Sequence, residues 1–342
     1  MAENGLYKMG RRSFVKNSAK FGALSLSGIP YSLASQVLSG NASSAGNYNS
    51  RVPEGNGIIT NIWVERSLFD MLKQHSIKYI FVDIGDVDKK TGKITTPRNQ
   101  IEVFVNSVAS FEKEKNYEFT VLPWNAIIAQ EGYNFGSPEF RENYLNEYVQ
   151  LVKDFGFEGI HVDIEAIPDA LKGEYLKMLR KWRAKLPVDS ILAAYSGSII
   201  SDDVKGNEWN WHEGFLHEVF ENGVDVLLPP TYDTDSRTEE DYMRYLQNLM
   251  HMLSGQKKGS FMFTIPTHKP APELSKYALD EFLKAKKKYC NFPISGVVEF
   301  ASWTIKDENW KEFEEFSNIL KSSDYRTDLA LKKIACMLGL GD

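Results

Sequence analysis

Eight short runs rich in Val, Ile, Leu and Phe, each followed by an amphipathic stretch, limit the folds open to this chain from Gly57 onward. The runs are GIITNIWV (57–64), IKYIFVDIG (77–85), YEFTVLPWN (117–125), FEGIHVDIE (157–165), SILAAYSG (190–197), VDVLLPPTY (224–232), GSFMFTIPT (259–267) and ISGVVEFAS (294–302). Runs that are apolar on both faces suit strands covered on both sides, as in parallel sheets. Between them, segments such as PEFRENYLNEYVQLVKDF and LSKYALDEFLKAKKKY repeat apolar residues at three and four, the pattern of helices laid on a sheet. Strand onsets fall roughly 20 to 40 residues apart, the span of one βα unit. Eight such units predict an α/β chain folded as a single-domain (β/α)8 TIM barrel over residues 57–325, closed by the helix in NWKEFEEFSNILKSS. No Gly-x-Gly-x-x-Gly follows the first run, which argues against a dinucleotide-binding sheet.

Barrel active sites are built at the C-terminal ends of the strands, so the polar residues there carry the functional signal. Asp83 and Asp86 end the second run, Trp124 and Asn125 the third, and Asp163 and Glu165 the fourth. Tyr195 and Ser196 end the fifth, and Thr231, Tyr232, Asp233 and Asp235 the sixth; His268 follows the seventh and Trp303 ends the eighth. Residues two apart on a strand share a face. His161, Asp163 and Glu165 are therefore predicted to climb the inside of the barrel, while Ile160, Val162 and Ile164 pack outward. Buried acids are costly to keep without a purpose. The plain alternatives are an ion-paired core layer for the acids and a mouth plug for Trp303. Tyr195, Asp83 and His268 read first as lining. Trp209 and Trp211 read either as loop anchors or as an extension of a carbohydrate groove.

The fourth and sixth runs resemble glycoside hydrolase family 18, the chitinase and endo-β-N-acetylglucosaminidase barrels. That family's strand-four signature is Asp-Gly-x-Asp-x-Asp-x-Glu, and residues 158–165 read Glu-Gly-Ile-His-Val-Asp-Ile-Glu. Its strand six carries Met-x-Tyr-Asp, matched here by Pro230-Thr231-Tyr232-Asp233, and its strand eight supplies a Trp, matched by Trp303. The resemblance implies a retaining, substrate-assisted hydrolase of glycans containing N-acetylhexosamine, of the chitin, peptidoglycan or N-glycan kind. It implies Glu165 as the general acid, Asp163 as the group that orients the substrate's acetamide, Tyr232 as its hydrogen-bond donor and Asp233 as a sugar holder. Trp303 would floor the sugar subsite, with Trp124, Asn125, Tyr195 and His161 as further substrate-side residues. Asp163 is expected to raise the pKa of Glu165 by like-charge repulsion.

This chain departs from the family pattern in places. His161 stands where the family has its inner Asp, and Glu158 where it has its outer one. A histidine there is expected either as a buried prop or as a donor to Asp163 that, if charged, lowers the pKa of that acid. The third run lacks the family's Ser-x-Gly-Gly, and the seventh and eighth runs leave no room for the α+β insertion of some chitinases. A carbohydrate-binding barrel without turnover is the second reading. A metal-dependent hydrolase using His161, Asp163, Glu165, Asp233 and His268 is the third, weakened because no His-x-His closes the first run. Neither a cofactor nor a metal is called for by the main reading.

Residues 1–40 read differently from the barrel. Arg11-Arg12-Ser13-Phe14-Val15-Lys16 resembles a twin-arginine export signal, and the weakly apolar stretch that follows suits its h-region rather than a membrane span. Residues 41–56 read as a flexible linker and 326–342 as a C-terminal tail. Export to the periplasm or beyond is thus expected, with no membrane span after signal removal. A net charge of −6 spread along the chain gives no footprint for nucleic acid, so the expected partner is an oligosaccharide or polysaccharide. Aromatic residues are plentiful, with 7 Trp, 16 Tyr and 20 Phe, which serves both core filling and sugar stacking. Two cysteines, Cys290 and Cys336, form no metal-ligand spacing and leave one bridge open.

Overall fold

A break in the third barrel strand is what closes the sheet. The computed structural model describes residues 52–338 except Asn291, so the predicted signal and residues 41–51 of the linker lie outside the described residues. Its first half runs β1 (Asn56–Asn61), α1 (Arg66–Gln74), β2 (Ile77–Asp83), α2 (Arg98–Lys115), β3 (Thr120–Trp124), β4 (Ala126–Ile128), α3 (Pro138–Phe155), β5 (Gly159–Glu165) and α4 (Asp169–Lys185). The second half runs β6 (Ile191–Tyr195), β7 (Ser198–Ile200), β8 (Asn210–His212), α5 (Glu213–Glu221), β9 (Val226–Leu228), α6 (Glu239–Ser254), β10 (Ser260–Pro266), α7 (Ser275–Lys288), β11 (Ile294–Phe300), α8 (Asp307–Lys321) and α9 (Ser323–Met337). The parallel sheet has the order β3-β2-β1-β11-β10-β9-β6-β5-β4. β3 pairs with β2, setting Trp124 opposite Asp83, and β4 pairs with β5, setting Ala126 opposite Asp163. Only Asn125 separates β3 from β4, so the two ends of the row meet in one polypeptide path. The result is the predicted (β/α)8 barrel, nearly closed, with helices α1 to α8 each following one barrel strand.

Alternation along the strands sorts the apolar side chains into two layers. Ile58, Val82, Ile160, Val162, Ile164, Phe263 and Val297 pack under the helices, while Ile59, Phe81, Leu122, Ala193, Leu228, Met262 and Val298 fill the barrel interior. At the base of β5, a Cβ on Gly159 would meet the Ile191 carbonyl oxygen at 1.9 Å, so only glycine lets β6 approach there. Helix α3 begins at Ser137, whose hydroxyl accepts from the Phe140 amide, with Pro138 at its first position. It ends at Gly156 in the left-handed region. The sixth barrel strand is shorter than the run 224–232 suggested. Pro229 and Pro230 have no N–H to donate, so the ladder stops at Leu228 and resumes only as an isolated bridge from Pro230 to Thr264.

The stretch predicted as a tail is largely helix α9, which packs on α7 and α8 and is tied by a Cys290–Cys336 disulfide across 46 residues. That settles the bridge the sequence left open. On the outer face of β11, Glu299 lies fully buried between Ile58 of β1 and Ile265 of β10, with neither carboxyl oxygen partnered among the described residues. Burial, with Glu312 nearby, pushes its pKa well above the ordinary carboxylate value. The native state therefore holds a proton that the unfolded chain releases above about pH 4.5, and native stability falls as pH rises from there toward the raised pKa. Glu299→Gln is expected to match wild type near pH 4 and to gain about 1.4 kcal/mol per pH unit above it, up to the native pKa. Thermal melts of both proteins between pH 4 and pH 9 check this, and parallel curves would disprove it.

Candidate active site

The inward face of β5 rises through three polar residues. His161, the lowest, is 2% exposed and meets the rings of Phe81 at 5.3 Å and Trp124 at 6.1 Å, both edge-on. Burial pushes its pKa down to about 3, and its Nδ1 has no hydrogen-bond partner among the described residues. The expectation that His161 donates to Asp163, or lowers its pKa as a cation, is therefore corrected. An imidazole packed among aromatic edges cannot keep a charge without a counter-ion. Glu158, in the outer acid's position, accepts the Val121 N–H at 2.9 Å and fastens the start of β5 to β3.

Above the histidine, Asp163 and Glu165 form a hydrogen-bonded carboxyl pair. Asp163 is pushed well above the ordinary range, first by burial and then by the charges of Glu165 and Asp83. Glu165 is raised to about 7, chiefly by burial and further by Asp233 and Glu131. The contact between the two carboxyls raises Asp163 and lowers Glu165. The predicted direction of the Glu165 shift thus stands, with burial as its largest cause. Oδ1 of Asp163 has no partner among the described residues.

Three other strands bring groups to this pair. From β2 comes Asp83, raised to about 6 by burial, its Oδ1 accepting the Gly85 N–H at 2.9 Å. Asn125 is also hydrogen-bonded to Asp83. Only 1% exposed, Asn125 donates through Nδ2 to the Gly85 carbonyl and accepts the Tyr148 hydroxyl at Oδ1. Asn125 is thus a strut at the strand break rather than an open polar group. Tyr195, at the end of β6, lies beside Tyr232, and both lie in the field of Glu165 and Asp163. Burial raises both phenols well above their usual value, so they are neutral donors.

Asp233 reaches the same mouth but turns its side chain outward, 65% exposed and paired with Lys269. Its backbone is held by Glu273, whose carboxylate accepts the N–H groups of Asp233 and Thr234 at 2.8 and 2.7 Å. His268 packs against Tyr232 and Phe300. Trp124 is 7% exposed and lines the interior beside His161, whereas Trp303 is 50% exposed on the loop after β11. Trp211, on β8, is buried against Tyr175 and Phe215, while its neighbour Trp209 is 39% exposed. Trp63, 60% exposed just past β1, escaped notice in the sequence, as did Glu273. The signal for Trp63 was its place two residues beyond a strand end; Glu273 offered none, because its partners lie 40 and 39 residues away. Among the described residues, no three His, Cys, Asp or Glu side chains are grouped as a metal ion would require, and no helix is long and apolar enough to cross a membrane.

No protein-family profile matches the chain, and no curated protein matches it in sequence. Solved structures match its fold. A class V chitinase from Pseudomonas fluorescens superposes with a TM-score of 0.55 at 12% identity, covering 77% of this chain and 99% of its own. A chitinase from Chromobacterium violaceum gives 0.54 at 11%, covering 78% and 99%. The spore cortex-lytic enzyme SleL of Bacillus megaterium gives 0.52 at 15%, covering 77% and 74%. At such identities the likeness is one of barrel architecture.

Proposed function

We propose that the protein is a retaining glycoside hydrolase of glycans containing N-acetylhexosamine, with Glu165 as general acid and the substrate's own acetamide as nucleophile. The observation that carries this reading is the buried Asp163–Glu165 pair at the barrel mouth, holding one shared proton within the field of the Tyr232 hydroxyl. An acid held near pH 7 by its surroundings suits proton donation at neutral pH. Glycosidases with two working carboxylates set them on opposite sides of the bond; here the acids are stacked on one strand, which suits substrate assistance.

In the first step the proton passes along the Asp163–Glu165 hydrogen bond to Glu165 and on to the glycosidic oxygen. The C1–O bond breaks as the acetamide carbonyl oxygen bonds to C1. Asp163, turned toward the sugar, accepts the acetamide N–H and balances the positive charge of the oxazolinium ring. Tyr232, whose phenol burial keeps protonated, donates its O–H to the acetamide oxygen. Water then attacks C1 from the vacated side, gives a proton to Glu165 and reopens the ring, with net consumption of one water. Trp303 offers an exposed indole face for stacking a sugar ring.

The same reading takes the protein as exported. Its support is the Arg11-Arg12 motif together with the Cys290–Cys336 bridge, a bond that persists in oxidising compartments. The test of the activity is hydrolysis of N-acetylglucosamine oligomers followed by proton NMR of the fresh product. Retention of the β-anomer is expected. Inversion would rule out substrate assistance, and binding without any cleavage would leave a carbohydrate-binding barrel.

A further inference from the structure

Asp83 was read from the sequence as lining, yet its surroundings set it apart from every other acid at the mouth. It ends β2, the second barrel strand, and points inward, two residues beyond the interior Phe81. Asp163 points inward from β5, the fourth barrel strand. In a (β/α)8 barrel, side chains from alternate strands share one interior layer, so strands two and four present these two acids to each other above the broken third strand. Asn125, at the break, is hydrogen-bonded to Asp83 and fixed in turn by Gly85 and Tyr148. The Gly85 amide holds the Asp83 carboxylate from its own loop.

Among the described residues no cation is paired with Asp83, and Lys89, on the same loop, is engaged with Glu131 and the Tyr133 ring. The charged or titratable groups around it are Asp86 on its own loop, Tyr133 and Glu131 on the loop after β4, Tyr144 and Tyr148 on α3, and Asp163 with Glu165 on β5. Below it lie Phe81, Trp124 and the neutral imidazole of His161. Meanwhile the unpartnered, buried Oδ1 of Asp163 has no positive group to keep it ionised.

We propose that Asp83 is a positioning residue for the acid pair, its buried carboxylate acting across the barrel layer to keep the shared proton on Asp163 and Glu165. This rests on the function proposed above and assigns the task of holding that proton to strand two rather than to His161. The direction agrees with the charge of Asp83 raising Asp163. An anion at this place makes loss of the pair's proton harder, and so extends the pH range in which Glu165 can act as an acid.

The test is Asp83→Asn, which keeps an acceptor for the Gly85 amide but removes the charge, with Asp83→Ser as a second neutral variant should the first fold poorly. Carboxyl carbon NMR of the labelled protein follows titration of the pair without any substrate. Its apparent pKa is expected to fall by about one unit in the neutral variants and to return with Asp83→Glu. The alkaline limb of kcat/KM should move down with it, an activity loss of about tenfold above the limb, with KM little changed. A folded neutral variant whose pair titrates as in wild type overturns the proposal. A shifted titration in a protein that cleaves no glycan supports the coupling and rejects the hydrolase reading instead.

Discussion

Replacing Glu165 by Gln is expected to lower kcat on N-acetylglucosamine oligomers by about 10²–10⁴-fold while leaving the fold and glycan affinity in place. The amide keeps the shape of the carboxyl and still accepts the hydrogen bond from Asp163, but it has no proton to give at the leaving oxygen. Stability should not suffer, because the substitution removes one of two acids that burial forces to share a proton. In wild type, kcat/KM should fall at alkaline pH as the raised Asp163–Glu165 pair loses the proton that Glu165 delivers; in the variant the residual rate should lose that limb. The measurement is a pH–rate profile of both proteins alongside thermal melts. A variant that retained more than a tenth of wild-type turnover would remove Glu165 from the role of acid.

At the opposite end of the barrel the largest expected effect is on stability. Asp225 precedes β9, its side chain 2% exposed, and accepts Arg183 Nη1 at 2.9 Å and the Leu192 N–H at 2.8 Å. Its main chain also joins neighbouring strands, donating to the Leu192 carbonyl and accepting the Ser260 N–H. Arg183, on α4, also donates through Nη2 to the carbonyls of Pro187 and Ser190. The pair thus ties α4, β6 and β9 at the N-terminal rim. Asp225→Ala would leave a buried amide unpaired and take a buried carboxylate from the Arg183 guanidinium, at a cost of about 3–5 kcal/mol. Asp225→Asn, which can still accept from Leu192, should lose roughly half as much. Urea unfolding reads both values. A loss below about 1 kcal/mol for the alanine variant would place this pair with ordinary surface ion pairs.

Much of this architecture was legible in the chain because it depends on local periodicity. The two-residue alternation of IHVDIE determines which side chains face inward, and any barrel built from that strand places His161, Asp163 and Glu165 in one column. The same local logic found Tyr232 and Trp303, because strand ends are marked by where apolar runs stop. It misjudged the sixth strand, since two prolines end a ladder without ending apolarity. It could not show how deeply Trp124 and Asn125, which follow each other at a strand end, are buried. The break at Asn125 turns one into barrel filling and the other into a strut.

What the chain settled by itself, then, is the order of eight βα units and the inward column of acids, both properties of neighbours in sequence. What only the tertiary structure decided is the electrostatic character of that column. The neutrality of His161, the raised Asp163–Glu165 pair and the place of Asp83 opposite it all depend on how completely water and counter-charges are excluded. Desolvation and charge coupling act through space, among β2, β5 and the break between β3 and β4, and no spacing along the chain encodes them.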